Sequence, residues 1–176
     1  GTAQGLKTAL SQQGATGRDV SYLGHGMTTA TNAVIQRNGA RTAFLTNKGF
    51  RDILQIGRQN RPTLFDIEVT RPEPLVPREL CFTADGRMDQ TGAEIVPLSE
   101  ADVRAVAAEM KSAGVESVAV LFLHSYANPA HERRARAILE EEMPGVAVCA
   151  STDVNSEFRE YERASTTVLN AYLRPV

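Results

Sequence analysis

A histidine between two glycines opens the first stretch that could carry chemistry. Residues 24–32 have the sequence GHGMTTATN, so His25 is followed within seven positions by three threonines and an asparagine. Glycine on each side lets the backbone approach a ligand closely, and the helix expected after this loop would offer free N–H groups to an anionic or carbonyl oxygen. The motif therefore predicts an oxygen-binding site. The alternative is that Thr28 only caps the helix while His25 bonds a neighbouring carbonyl.

A second group combines two arginines with two amides. The sequence GRQNRP places Arg58 and Arg61 three positions apart, with Asn60 between them. Guanidinium and amide donors this close together suit a carboxylate or a phosphate, and the following proline restricts the conformation of Arg61. The alternatives are a solvated surface turn, or arginines that pair with Asp52 and Asp66.

The third group follows a strongly apolar run. His124 comes directly after residues 118–123, and Asn128 stands before a proline. The carboxyl end of a central parallel strand is a favoured position for ligands, so His124 is a candidate binding residue. The alternative is that His124 only satisfies loop carbonyls and that Asn128 caps the next helix. His131, in the first turns of that helix, is predicted to be exposed.

The fourth group lies near the end of the chain. Glu157 and Tyr161 are four positions apart, as are Arg159 and Arg163. Side chains with this spacing share a helical face, so ion pairs along a solvated helix would explain them. The residues alone give no complete catalytic set, because the sequences of a phosphate loop, a dinucleotide fingerprint and a nucleophile elbow are missing.

Hydrophobic periodicity and turn residues predict the elements that must position these groups. Strands are predicted at 20–23, 41–46, 116–123 and 146–150, a hairpin from 78–83 and 94–98, and helices at 2–13, 28–37, 99–114, 128–143 and from Asn155 or Ser156 to Pro175. We expect an α/β fold in three segments: a βαβ-like unit carrying the His-Gly loop (1–62), a proline-rich crossing with the hairpin (63–98) and an α/β subdomain ending in a helix (99–176).

Composition excludes several classes of protein. Nineteen basic residues against twenty-one acidic residues leave no positive surplus to neutralise nucleic-acid phosphates. The longest apolar run has six residues, whereas a membrane span needs about twenty. Cys81 and Cys149 form no paired motif, which favours burial and a reducing, cytoplasmic compartment. We expect a water-soluble protein without nucleic-acid or membrane partners, and a chain that is a piece of a longer one.

All four groups coincide with segments of a known family. Residues 25–33 (HGMTTATNA) resemble the His-Gly-Thr-Thr-x-Ala-Thr-Asn-Ala segment of the hydantoinase/5-oxoprolinase family, with Met27 where that family usually has threonine. Further segments are similar to the family pattern in the same order, at 39–43, 48–52, 56–62, 122–132 and 157–163. Six ordered segments spread over nearly the whole chain make the resemblance highly specific.

The resemblance implies a fold and a reaction. Family members include ATP-dependent 5-oxoprolinases and N-methylhydantoinases and the carboxylase subunits for acetone or acetophenone, and they are similar in fold to actin-like ATPases and sugar kinases. The implied fold has mixed sheet layers with flanking helices, truncated here at both ends, and the family's Asp-x-Gly-Gly-Thr phosphate-binding hairpin would precede Gly1. The implied activity is ATP-dependent hydrolysis of a cyclic amide with Mg²⁺, and the isolated fragment is predicted to be inactive.

Residue types and the motif match together assign the roles. We expect His25, Thr28 and Asn32 to be catalytic. The residues expected to bind substrate or phosphate are Gly26, Arg58, Asn60, Arg61 and His124, and no metal ligand is expected among the side chains. The expected partners are a small cyclic amide, the remaining domains of the same protein and, as an option, a second subunit. Two alternatives remain, an ATP-dependent ketone carboxylase subunit and a non-catalytic domain for structure or subunit contact.

Overall fold

The structure is a computed structural model that describes residues 2–22, 28–60, 65, 68 and 72–175. Its helices are α1 (Thr2–Gln12), α2 (Thr29–Gln36), α3 (Ile53–Ile56), α4 (Glu100–Ser112), α5 (Ala130–Glu142), α6 (Ser151–Val154) and α7 (Glu160–Leu173). Its strands are β1 (Thr42–Asn47), β2 (Cys81–Ala84), β3 (Arg87–Met88), β4 (Glu94–Val96), β5 (Ser117–Val120) and β6 (Ala147–Ala150).

Four parallel strands form the central sheet, in the order β2-β1-β5-β6. Phe44 of β1 lies opposite Cys81 of β2 and Ala119 of β5, and Val120 of β5 lies opposite Ala150 of β6. Every residue of β1 and β5 is buried. Because internal parallel strands are covered on both faces, β5 belongs to a continuous apolar run instead of an alternating one. The predicted α/β class and the central position of β5 are confirmed.

Helices cover both faces of this sheet. Helices α4 and α5 pack against each other and against the sheet, whereas α7 contacts β1, β5 and β6. Helices α2 and α3 lie in turn against α7. The buried stripe of α4 runs from Val103 to Met110 as predicted, and the Ser99 hydroxyl caps this helix by accepting a hydrogen bond from the Asp102 N–H at 3.3 Å.

Both cysteines are buried in strands, as predicted. Cys81 is 1% exposed and Cys149 is 3% exposed. Burial raises the pKa of the Cys81 thiol to about 11, so this thiol is protonated near neutral pH. Since the thiolate is the reactive form, Cys81 contributes to packing and not to chemistry.

The first predicted strand is wrong for the residues that the structure describes. Residues 20–22 are irregular, and a 3-10 turn at Gly17–Asp19 precedes them. The Asp19 carboxylate accepts hydrogen bonds from the Thr16 N–H and hydroxyl, both at 2.8 Å, and such local bonds compete with extended backbone. Leu23, the last residue of the predicted strand, lies outside the described residues. The division of the chain into three segments stays a prediction.

The predicted hairpin is wrong in its pairing. Strand β2 joins β1 in the parallel sheet, and β4 pairs in antiparallel fashion with β3 instead. The reason is the break at Asp85 and Gly86, which separates the buried strand β2 from the residues that form the hairpin. We call the β3–β4 hairpin the ribbon.

His131 was predicted to be exposed, but it is buried beneath the ribbon. Its Nε2 atom lies 2.6 Å from a carboxylate oxygen of Glu94, and the residue is 4% exposed. Asn128 ties the ribbon down as well, because its Nδ2 donates to the Gly92 carbonyl at 2.8 Å. Its Oδ1 accepts from the Ala130 N–H at 3.0 Å, which satisfies a donor at the start of α5. The N-cap position itself is occupied by Pro129 and not by Asn128, so the helix begins later than the capping alternative expected.

The last helix begins later than predicted. Helix α6 follows β6 directly and ends at Val154. The next residue, Asn155, has an extended backbone (φ −156°). Arg159, immediately before α7, is also extended (φ −80°, ψ 109°). Helix α7 therefore starts at Glu160, and the predicted start at Asn155 or Ser156 is wrong by about one turn.

A buried carboxylate holds the turn that follows β5. The fully buried Glu132 side chain accepts from the Phe122 N–H at 2.9 Å and from the Ser151 hydroxyl at 2.6 Å. It also accepts from the N–H and hydroxyl of Thr152, both at 3.1 Å. One side chain of α5 therefore joins the carboxyl end of β5 to the start of α6.

Glu132→Ala should destabilise the protein strongly. Four donors lose their acceptor in a place that water does not reach, so we expect a loss of about 3 kcal/mol in the free energy of unfolding. Glu109→Ala is the matched control, since Glu109 is an exposed residue of α4, and it should change the free energy by less than about 0.5 kcal/mol. Urea unfolding of the two variants measures both values, and equal losses would contradict the assignment.

Candidate functional site

A groove separates α3 and the loop after it from α7 and from the segment 72–79. It has a volume of about 1270 Å³. The polar residues along it include Arg58, Gln59, Asn60, Tyr161, Glu162 and Ser165. We call it the α3–α7 groove. It contains two of the side chains that the sequence selected for binding an anion.

Arg58 lies on the groove wall and is held by α7. Its Nε donates to a carboxylate oxygen of Glu162 at 2.7 Å, and the Arg58 side chain is 59% exposed. A hydrogen bond from the backbone N–H of Glu162 itself, followed by the Arg58 guanidinium, lowers the pKa of the Glu162 carboxyl. This partner was not among the alternatives from the sequence, which paired the arginines with Asp52 and Asp66. Asp52 instead bonds Arg78, at 2.6 Å.

Two positive φ angles shape the loop that carries Arg58 and Asn60. Gly57 has φ 55° and Gln59 has φ 56°. Left-handed backbone on both sides of Arg58 turns the chain sharply after α3, and glycine tolerates this conformation at little cost. Asn60 is exposed and lines the same groove. Arg61 lies outside the described residues, so the cluster of two arginines stays a prediction.

The helix expected after the His-Gly loop is present as α2. Thr28 occupies its N-cap position, yet its side chain makes no capping hydrogen bond. Asn32 Nδ2 donates to the Thr28 hydroxyl at 3.5 Å, and both residues are exposed. His25 and Gly26 lie outside the described residues. The part of the loop that the structure describes thus presents two exposed polar side chains next to each other.

The other end of α2 is tethered to the proline-rich segment. Arg37 has a left-handed backbone (φ 52°), and its side chain donates to the carbonyl of Glu73 at 2.6 Å and to that of Pro74 at 3.4 Å. Both of these carbonyls belong to residues that line the α3–α7 groove. The tether therefore links α2 to one wall of that groove.

His124 lies elsewhere, in the turn after β5. Its backbone is left-handed (φ 59°), and its Nδ1 is 3.4 Å from the Tyr126 hydroxyl. Neighbouring N–H and carbonyl groups of the turn are bonded by Asn47, Glu132 and Arg163. The predicted site residues are therefore not all brought together: the pairs Arg58 with Asn60 and Thr28 with Asn32 form, and His124 stands apart from both.

Arg163 is a residue that sequence reasoning misjudged. It was expected on a solvated helix face, but it is fully buried. Its spacing from Arg159 suggested a row of exposed charges along the helix. In α7, however, Arg163, Ala164 and Thr167 are all buried, so they lie on the side of the helix that faces the sheet. The residues one helical turn away from Arg163 are polar, namely Arg159, Glu160, Thr166 and Thr167, so the sequence carried no clear signal of its burial.

In the described ranges, no three His, Cys, Asp or Glu side chains are grouped so that they could hold a metal ion. None of the helices in the part of the chain that the structure describes has the length and apolar character needed to cross a membrane.

Thr28→Ala tests whether Thr28 is only a helix cap. Because its side chain makes no capping bond, we expect the free energy of unfolding to change by less than about 0.5 kcal/mol. Ser99→Ala removes a hydroxyl that does cap a helix, and it should cost about 1 kcal/mol. Thermal or urea unfolding compares the two variants. A cost for Thr28→Ala as large as that for Ser99→Ala would restore the capping explanation.

Comparison with solved structures gives a strong match. The chain superimposes on the crystal structure of the ATP-dependent caprolactamase from Pseudomonas jessenii with a TM-score of 0.87 and 35% sequence identity, covering 98% of this chain and 26% of that one. The predicted fold, with a sheet flanked by helices, is confirmed by this match.

Sequence comparison gives relatives of several activities. The chain is 38% identical to the caprolactamase subunit alpha of Pseudomonas jessenii (86% of this chain, 22% of the relative) and 33% identical to 5-oxoprolinase of Saccharomyces cerevisiae (90% and 14%). It is also 33% identical to the acetone carboxylase beta subunit of Xanthobacter autotrophicus (82% and 22%). The chain thus spans about a quarter or less of the length of these relatives.

A family model decides the assignment. The model described as the hydantoinase/oxoprolinase N-terminal region matches residues 1–143, which is most of the chain. This range contains the His-Gly loop, the Arg58 loop and the His124 turn. The chain therefore belongs to the hydantoinase/oxoprolinase family, as the motifs in its sequence predicted.

Proposed function

We propose that this chain is part of an ATP-dependent hydrolase that opens cyclic amides. The observation that carries the proposal is the likeness, over 98% of the chain, to a caprolactamase whose structure is named as ATP-dependent. The identity of 33% to a 5-oxoprolinase supports the same reaction class. A cytoplasmic location, a cyclic amide substrate and contact with further domains or a second subunit belong to this proposal, and the caprolactamase relative is itself named as a subunit.

The chemistry follows from the weak reactivity of an amide. Its carbonyl is a poor electrophile, and its oxygen is a poor leaving group. ATP would supply a phosphoryl group for that oxygen and leave as ADP. One water would then add to the activated carbon, breaking of the C–N bond would open the ring to an acyl phosphate, and a second water would release phosphate. Phosphoryl transfer depends mainly on positioning and on neutralising charge, so the protein must provide cations and N–H donors.

The described residues include side chains suited to binding the anionic groups of the reactants. Arg58 is an exposed guanidinium on the wall of a large groove, and Asn60 lies beside it. We assign both to binding a phosphate or carboxylate, together with Arg61. Thr28 and Asn32, with His25 and Gly26, are assigned to the reacting oxygen, where hydroxyl and amide donors can stabilise developing charge. The described residues offer no cluster for Mg²⁺, so none is assigned to it.

A ketone carboxylase subunit is the second candidate. The relation to an acetone carboxylase beta subunit, at 33% identity, favours it. The same activation of an oxygen by ATP would serve an enolate instead of an amide.

ADP release by the full-length protein should rise with 5-oxoproline, a hydantoin or caprolactam in the absence of bicarbonate. A rise only with acetone and bicarbonate would replace the amide hydrolase by the carboxylase, and the 176-residue chain alone is expected to be inactive.

Arg58→Ala in the full-length protein should weaken the binding of an anionic ligand. Loss of one charged hydrogen-bond donor is expected to raise the KM for ATP or for the amide by about tenfold. Arg134→Ala is the matched control, since Arg134 also pairs with a glutamate and is 51% exposed, but on α5. Steady-state kinetics of both variants provide the measurement. An unchanged KM in Arg58→Ala would remove this residue from the site.

His25→Ala should lower turnover instead of affinity. If His25 transfers a proton or donates a hydrogen bond near the reacting oxygen, its loss should reduce kcat by at least about tenfold, which is a modest share of usual acid–base effects. The same assay of ADP release provides kcat. Turnover equal to that of the unaltered protein would exclude His25 from the reaction.

A further inference from the structure

Arg163 is a buried cation that no carboxylate of the described chain neutralises directly. Its Nη1 donates to the Glu157 carbonyl and its Nη2 to the Phe122 carbonyl, each at 2.7 Å. Its Nε has no hydrogen-bond partner among the described residues, and burial lowers the pKa of the guanidinium. The Glu132 and Glu160 carboxylates favour the charge through space. Among the described residues, however, the direct hydrogen bonds of the guanidinium are to neutral carbonyls, and a buried charge bonded in this way costs stability compared with an apolar side chain of similar size. Stability alone therefore does not explain Arg163.

The contacts of Arg163 converge on the turn that carries His124. The Phe122 carbonyl, which Arg163 bonds, also accepts from the Ser125 hydroxyl at 2.7 Å. The Arg163 guanidinium carbon lies 5.8 Å from the centre of the Tyr126 ring, and the Tyr126 hydroxyl is 3.4 Å from His124 Nδ1. Arg163 thus contacts the residues on both sides of His124.

The turn holds His124 in a conformation that a histidine seldom adopts. Its φ of 59° is in the left-handed region, where a side chain is tolerated only if the surroundings fix it. The Leu123 N–H, just before it, donates to Asn47 Oδ1 at 2.7 Å, so the turn is bound from the sheet as well. His124 itself remains partly exposed. The result is a rigid backbone with an accessible imidazole at the carboxyl end of an internal strand.

Helix α7 connects this turn to the α3–α7 groove. Glu162 bonds Arg58 on the groove wall, and the next residue, Arg163, bonds the His124 turn. Two consecutive side chains of one helix therefore link Arg58 to the turn that carries His124. A helix is stiff over one turn, so this link does not depend on loop motion.

We propose that Arg163 is a positioning residue that fixes the His124 imidazole, relative to the Arg58 groove, for the ATP-dependent hydrolysis of the amide. The inference rests on the proposed function, and it takes His124 as the residue that the sequence predicts to bind substrate or phosphate. Arg163 acts through the Phe122 carbonyl and the Tyr126 ring and does not touch the ligand. Lysine at this position keeps the charge but cannot make two divergent bonds with a planar group.

Arg163→Lys, His124→Gln and the double variant of the full-length protein test this assignment. We expect Arg163→Lys to lower kcat for amide-dependent ADP release at least about tenfold, with the KM for ATP changed less than about threefold. The kcat of the double variant should lie within about twofold of the kcat of His124→Gln, because the effects of two residues that act as one unit do not add. Arg104→Lys is the control, since Arg104 lies on α4 and pairs with Glu141. It should behave like the unaltered protein.

A second measurement does not require activity. Diethyl pyrocarbonate modifies accessible imidazoles, and mass spectrometry gives the rate at each histidine. Arg163→Lys should raise the rate at His124 at least about threefold and leave buried His131 unmodified. Tyr126→Phe, which keeps the ring but removes the hydroxyl beside Nδ1, should also raise the rate at His124. This variant replaces Arg163→Lys in the measurement if Arg163→Lys does not fold.

The outcomes separate the two proposals. If the effects of Arg163→Lys and His124→Gln on kcat multiply, or if the rate at His124 is the same in Arg163→Lys as in the unaltered protein, the positioning role is wrong and Arg163 is a structural clamp only. If the unaltered protein hydrolyses no cyclic amide with ATP, the proposed function fails. The modification rates at His124 then decide by themselves whether Arg163 positions the imidazole.

Discussion

The bonds of the buried Glu132 carboxylate are the interaction on which the carboxyl edge of the sheet depends. Parallel strands end with backbone groups that their neighbours no longer pair, and a buried donor without an acceptor costs about 1–3 kcal/mol. Glu132 accepts four donors from the turn after β5 and from the start of α6. On the other side, Asn47 at the end of β1 donates from its Nδ2 to the Gly86 carbonyl after β2, and its Oδ1 accepts from the Leu123 N–H after β5. Backbone groups in the irregular turns at this edge therefore have hydrogen-bond partners, although these groups lie outside the strands.

This bonding explains how polar side chains can be displayed on an otherwise apolar core. A sheet with fully buried inner strands offers no exposed position of its own. The candidate residues stand instead on turns and helix ends that side chains from distant elements hold in place: Arg58 by Glu162 of α7, and the turn of His124 by three elements. Rigid support of this kind keeps a binding group oriented before the ligand arrives, which reduces the cost of binding.

Local patterns were sufficient for most helices and for the strands of the core. The stripe of α4, the cap at Ser99 and the apolar run through β5 are consequences of neighbouring residues, so the sequence alone predicts them. Pairing and burial that depend on distant residues were missed. Strand β2 pairs with β1 and not with β4, and His131 is buried because Glu94, 37 positions earlier, folds over it.

The same limit applies to the candidate site. The sequence grouped Arg58 with Asn60 as candidate binding residues, and both line one groove, while their role in binding stays a prediction. It did not indicate that Glu162 would hold Arg58, since the two are 104 positions apart. Arg163 was misjudged for a different reason: charge favours exposure in general, and only the fold provides carbonyl acceptors at the right places inside.

The tether made by Arg37 has a consequence for how this family can diverge. Its guanidinium contacts the main-chain carbonyls of Glu73 and Pro74, which every amino acid possesses. Substitutions at these two positions can therefore alter the lining of the groove while the attachment to α2 survives. Evolution can in this way exchange side chains that line the groove without rebuilding the scaffold that carries them.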